Sequence, residues 1–212
     1  PIVFDVEEVL NWVDGDAYGV GTNVATDEEL EAALEEGGEI ILLADLTLPN
    51  ATTISSDVVL NLNGKTLKGG QLDAPELTGT DISAITVIEG ANLTIYGEGT
   101  IEGGEYGIYV KNGSVTVTNG TITANTSAIQ VKEGEANING GNFSNKADNK
   151  AYLINCIDAN YKDLTAKVAV RGGTFAGFNP ADNAAEGTGT NFVAPGYESV
   201  DNGDGTFTVK AE

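Results

Sequence analysis

Five stretches of the sequence decide the fold: LNLNGKTL (60–67), LTIYGEGTI (93–101), VTVTNGTI (115–122), ANINGGNF (136–143) and VAVRGGTF (168–175). Each reads apolar, polar, apolar, then a turn containing Gly, then one further apolar residue. The second carries one extra residue at its turn. The recurring apolar sets are Leu60/Leu62/Leu67, Leu93/Ile95/Ile101, Val115/Val117/Ile122, Ala136/Ile138/Phe143 and Val168/Val170/Phe175. From one first apolar residue to the next the intervals are 33, 22, 21 and 32 residues. The unit is therefore about 21 residues long, and two units carry an insertion of about 11. A second strand precedes some units, at Ile85/Val87, Ile108/Val110 and Ile129/Val131.

Alternation with period 2 marks half-buried strands. None is long enough to close a core alone. Stacking like units buries the inward Ile, Val, Leu and Phe in one column and pairs the backbone between units. The sequence therefore predicts an all-β fold, a right-handed single-stranded parallel β-helix over residues 39–176. No 3.6-residue stripe recurs inside the unit, which argues against a helical solenoid. An antiparallel sandwich would not require the same Gly turn at a fixed period. Asn63-Gly64, Asn119-Gly120, Gly140-Gly141 and Gly172-Gly173 mark one corner of each coil, where positive φ is needed.

A solenoid needs caps. TDEELEAALEEGG (26–38) reads as a helix with Thr26 as N-cap, Glu29 closing a capping box and Gly37-Gly38 as the stop. Leu30, Ala33 and Leu34 share its apolar face, so residues 24–38 form the amino-terminal plug. At the other end, residues 177–212 form a long loop and a hairpin, YESVDNGDGTFTV (197–209), turning at DNGDG. Residues 1–23 have no place inside the repeat. Asp5 and Glu8 can cap a short helix with Val6, Val9, Leu10 and Val13 on one face and Trp12 beside it. That arm either folds back on the plug or docks on a partner through Phe4, Val6, Val9, Leu10, Trp12 and Val13.

Composition narrows the chemistry. A net charge of −22 with a single arginine, Arg171, repels nucleic acid and anionic lipid. No run approaches the roughly 18 apolar residues of a membrane span. No basic-then-apolar signal opens the chain; Pro1 and the absence of Met fit a trimmed initiator, and a cleaved export signal would leave the same start. There is no His and one Cys, Cys156, so imidazole bases, an internal disulfide and the usual zinc sites are excluded, and Cys156 reads as a buried thiol. No phosphate loop or dinucleotide fingerprint occurs.

Acids are plentiful, but Thr94, Tyr96, Thr116, Thr118, Asn137, Asn139 and Ala169 take most outward strand positions. The clusters Glu98/Glu102/Glu105 and Glu133/Glu135 read as solvated charge rather than a paired-acid site. Arg171 stands without an evident group of calcium-binding acids. Asp14-Gly15-Asp16 and Asp201-Asn202-Gly203-Asp204 do not fit an EF-hand loop and read as turns. The expectation is no catalytic residue, no cofactor and no metal.

The chain resembles the pectate-lyase-like right-handed β-helix superfamily over roughly residues 24–210. More narrowly it is similar to short β-helix structural proteins of tailed gut-bacterial phages. The phrases that carry this are TDEELEAALEEGGEIILLADLTL, VVLNLNGKTLKG, GGTFAGFNPADN and GYESVDNGDGTFTV. The lyases' catalytic residues have no clear counterpart, and bacterial surface proteins share similar phrases. The resemblance implies a homotrimeric head-decoration (cement) protein on the virion surface, made in the host cytoplasm, with the major capsid protein or another virion protein as partner. The alternatives are a tail or head fibre that recognises host glycans, with Tyr96, Tyr106 and Tyr109 as contacts, and a polysaccharide lyase or hydrolase. An extracellular or cell-surface place stays open.

Overall fold

The computed structural model describes residues 21–48, 52–69 and 82–212, together with the backbone of Trp12–Val13 and Asp16–Ala17. The chain is mostly β and is dominated by three long parallel sheets. From residue 38 to residue 176 successive strands fall into the three sheets in turn. Sheet 1 holds β3 (Thr22–Val24), β4 (Gly38–Leu42), β7 (Val58–Asn61), β10 (Ala91–Tyr96), β13 (Gly113–Val117), β16 (Gly134–Ile138) and β19 (Ala166–Val170). Sheet 2 holds β5 (Leu46–Thr47), β8 (Lys65–Lys68), β11 (Gly99–Glu102), β14 (Thr121–Ala124), β17 (Asn142–Asn145) and β20 (Thr174–Ala176). Sheet 3 holds β6 (Thr52–Ile54), β9 (Ser83–Val87), β12 (Tyr106–Val110), β15 (Ser127–Val131) and β18 (Ile154–Cys156).

The register explains the 21-residue period. Leu93, Val115, Ala136 and Val168 pair in one row, and Ile95, Val117, Ile138 and Val170 in the next. Leu67, Ile101, Ile122, Phe143 and Phe175 form a row in sheet 2. Ile85, Ile108, Ile129 and Ile154 form one in sheet 3, beside Val87, Val110, Val131 and Cys156. These rows belong to one continuous apolar core. Each fully buried Ile, Val or Leu contributes roughly 1.5–3 kcal/mol, so the repeated rows dominate stability.

The first repeat sits two residues away from its sequence alignment. Val58, not Leu60, pairs with Leu93, and Leu60 pairs with Ile95. A slip of two leaves inward residues inward. The extra length is taken up at the corner between sheets 1 and 2. Leu60 and Leu67 are seven residues apart, Ile95 and Ile101 six, and Val117 and Ile122 five. Leu62 fills the wider corner and is fully buried. Gly120 sits over it with φ +93°, and a Cβ there would lie 2.7 Å from Leu62 Cδ1. The Asn residues of this corner bind backbone: Asn63 Nδ2 donates to the Leu42 carbonyl at 2.9 Å, and Asn119 Oδ1 accepts from the Gly120 N–H at 2.8 Å.

Helix α1 (Asp27–Glu36) carries the expected capping box: Thr26 accepts from the Glu29 N–H while the Glu29 carboxylate accepts from the Thr26 N–H. It buries Leu30, Ala33 and Leu34. The segment after β20 finishes each sheet separately. In sheet 2, β22 (Thr206–Ala211) pairs antiparallel with β20 and with β21 (Tyr197–Asp201). In sheet 1, Val170 bridges Val193 in parallel, with Val170 donating to the Phe192 carbonyl. In sheet 3, the Glu186 carboxylate accepts from the Cys156 N–H at 2.6 Å, replacing a missing strand. Phe143, Phe175, Phe178 and Phe192 pack in sequence beneath this end. The insertion before β19 holds a 3-10 turn (Lys150–Tyr152) and a short helix, α2 (Asp158–Lys162).

Trp12 and Val13 are extended: Trp12–Val13 forms β1 and pairs antiparallel with β2 (Asp16–Ala17). This corrects the expected helical placement of those two arm residues. An Asp-Gly pair at 14–15 between two short runs is a hairpin signal that outweighs the helical periodicity there. Phe4, Val6, Val9 and Leu10 lie outside the described residues.

Candidate functional site

The residues worth testing lie on the face of sheet 3 turned away from the core. Ile108 and Val110 point inward, so Tyr109 points out, in register with Thr86, Gln130 and Asn155. Residues three apart in a regular strand face opposite sides. Here they share a side. The Tyr106 and Tyr109 rings lie 5.4 Å apart, and Ser83 Oγ lies 2.7 Å from Thr86 Oγ1. The alternation breaks at Ala84, Gly107 and Ala128, which occupy one buried row. A side chain at Gly107 would press within 2.7 Å of Ile122 Cγ2 and 2.6 Å of the Ala128 carbonyl. Small residues are therefore required where the strands bend.

Beyond the tyrosines, Ser127 pairs with Tyr106 and Gln130 with Tyr109. Ser127 is 1% exposed and Gln130 3%, although both sit on an outward face. Gln130 Oε1 accepts from Asn155 Nδ2 at 3.0 Å. Gln130 Nε2, Ser127 Oγ and Asn155 Oδ1 have no hydrogen-bond partner. An unpaired buried polar group costs about 1–3 kcal/mol, so this concentration on one face calls for an explanation. Burial pushes both tyrosine hydroxyls above their ordinary value, with the Glu105 charge adding to the effect at Tyr106. Both stay neutral donors.

Of the three tyrosines expected to contact sugar, Tyr96 does not reach the surface. It is 4% exposed. Its ring lies back along sheet 1 and its hydroxyl donates to Glu39 Oε1, two strands away. A long side chain beside a carboxylate folds onto its own sheet, which the outward position alone does not reveal. Ser127, Gln130 and Asn155 escaped the sequence reading. The signal was present: Ser127 and Gln130 stand 21 residues after Tyr106 and Tyr109.

The other candidates are committed elsewhere. Glu102 binds Lys146 at 2.9 Å and Lys68 at 3.3 Å, and these hydrogen bonds, Lys146's foremost, hold its carboxyl below the usual range. Arg171 Nη1 donates to Asn137 Oδ1 at 2.9 Å. In the hairpin turn, Asp201 accepts from the Gly203 N–H, and Asp204 accepts from Thr206. The Cys156 thiol ends a core row, and burial pushes it up to about 12, which makes it a poor nucleophile. Among the described residues there is no cluster of three metal-ligating side chains, and no helix is long and apolar enough to cross a membrane. Asp14 and Gly15 lie outside the described residues.

Fold and site together define a mostly β protein with long parallel sheets and one outward face carrying paired tyrosines beside unpaired polar groups. No family model, no curated protein and no solved structure matches the chain.

Proposed function

We propose that the three parallel sheets are the walls of a right-handed parallel β-helix, and that the chain is a non-catalytic structural virion protein, a phage head-decoration protein docked through residues 1–23. The observation that carries this reading is the closure of both ends by the chain's own elements. α1 plugs one end, and the 177–212 segment finishes all three sheets at the other. A body closed at both ends does not stack head to tail into a filament. It projects as a discrete, stiff, acidic knob. Attachment is then left to lateral faces and to the apolar arm, and a homotrimer would multiply a weak contact by avidity.

Light scattering on the full chain and on a version lacking residues 1–20, which leaves β3 (Thr22–Val24) of sheet 1 whole, tests this. The full chain is expected to be a trimer. The shortened chain should keep its circular-dichroism spectrum but lose co-sedimentation with tailed-phage heads stripped of accessory proteins. Retained co-sedimentation would end the arm-docking version, and a monomer in both forms would end the trimeric one. A second reading, a fibre module recognising host glycans, is favoured by the paired Tyr106 and Tyr109 rings.

A further inference from the structure

We infer that the outer face of sheet 3 is a binding site for neutral sugar rings, built from Tyr106, Tyr109, Ser127 and Gln130. The inference deepens the glycan reading and rests on it. It needs no docking by residues 1–23.

The four residues form a two-by-two array. The tyrosines stand three apart on β12, and each is in register with a polar residue on β15. Adjacent strands lie about 4.8 Å apart. A sugar ring laid on one tyrosine therefore brings its edge hydroxyls over the neighbouring strand. Two atoms there, Gln130 Nε2 and Ser127 Oγ, are unpartnered. Gln130 Oε1 accepts from Asn155 on the far strand, while Gln130 Nε2 has no partner. Ser127 Oγ stands beside Tyr106 and can donate or accept. An aromatic face for the C–H side of the ring, with an amide and a hydroxyl for its edge, is the chemistry that recognises a carbohydrate.

The sugar class follows from charge. The chain carries −22, and the Glu105 carboxylate is felt at Tyr106. A uronate or sialylated sugar would be repelled, whereas a neutral one pays no such cost. Both polar atoms are shut off from solvent. A sugar stacked on one tyrosine reaches them when the ring of the other turns aside, and both rings are partly exposed. The site should thus open by a rotamer change with the sheet unmoved.

The experiment is titration calorimetry of the full chain with neutral tetrasaccharides of glucose, mannose, galactose and N-acetylglucosamine, and with tetragalacturonate. At least one neutral probe should bind, and tetragalacturonate should not. Tyr109→Ala and Gln130→Ala should each weaken binding about tenfold or more. Tyr109→Phe, which keeps the stacking face, should stay within a few-fold, separating contact from a folding defect. Ser127→Ala serves as the second polar variant should Gln130→Ala unfold. Binding of tetragalacturonate alone would overturn the neutral class and leave the glycan reading standing. No binding by any probe would overturn both. Neutral binding indifferent to every substitution would place the site elsewhere and overturn this one.

Discussion

The outer faces of sheets 2 and 3 rise on the same period but are finished differently. On sheet 2 outward polar groups pair across strands: Glu102 ties Lys68 to Lys146, Ser144 Oγ donates to Thr123 Oγ1 at 3.1 Å, and Thr174 shares a hydrogen bond with Thr208, although Asn145 Oδ1 and Ser199 Oγ of the same sheet have no partner. On sheet 3 the corresponding positions leave Ser127 Oγ and Gln130 Nε2 without partners while burying both residues more deeply. Lateral pairing between neighbouring strands can satisfy outward polar groups, as these contacts of sheet 2 show. Each such unpartnered buried atom costs about 1–3 kcal/mol, a cost that the proposed sugar contact would offset.

That contrast requires stability to come from the core that both faces share. Phe143 stacks on Phe175 at 5.0 Å between centroids. Phe143→Ala should therefore cost about 3–5 kcal/mol in chemical denaturation; a loss below about 1 kcal/mol would shift the weight onto the faces and dissolve the comparison. The corner joining sheets 1 and 2 comes next. Gly120→Ala should cost about 1–3 kcal/mol, because φ is positive there and Leu62 lies beneath. Combined with Leu62→Ala it should cost less than the two losses added.

Glu186 sharpens the contrast at the end of sheet 3. Its carboxyl is raised above the ordinary 4.5, chiefly by burial, while the Cys156 N–H pulls the other way. A raised folded value means that the folded state holds the proton longer. The stability owed to protonation is complete below the unfolded value and is lost as pH climbs through the folded one. Glu186→Gln should then raise the melting temperature relative to the parent at about pH 7 and lose that advantage at about pH 4. An advantage that grew on acidification would reverse the sign assigned to burial.

The smallest effects bear on the comparison directly. Ser144→Ala removes a made hydrogen bond and should cost about 0.5–1 kcal/mol. Ser127→Ala removes an unmade one and should be neutral or stabilising by up to about 1 kcal/mol. Opposite signs in paired urea titrations would establish the difference between the faces. A Ser127→Ala loss equal to that of Ser144→Ala would show the Ser127 hydroxyl to be satisfied and erase it.

Much of the architecture was legible in the chain because its causes are local and repeated. Gly at a tight corner, apolar residues at period 2 and an interval of about 21 residues all follow from backbone geometry. So do the capping box of Thr26 and Glu29 and the turn at residues 201–205. The candidate site was half legible. Tyr106 and Tyr109 stood out as aromatics in an outward strand, whereas Ser127 and Gln130 resembled any other polar residue until register set them beside the tyrosines.

The sequence by itself determined a repeating mostly β chain with a helix at one end, a hairpin at the other and a strongly acidic balance, because those depend on each residue and its near neighbours. Tertiary structure decided the two-residue offset of the first repeat, which rests on how much side chain a corner can hold. It decided that Tyr96 is spent on Glu39, because an outward position does not say which way a long side chain falls. It also decided that two tyrosines and two unpaired polar groups share one face, since pairing between residues 21 apart exists only once the strands lie side by side.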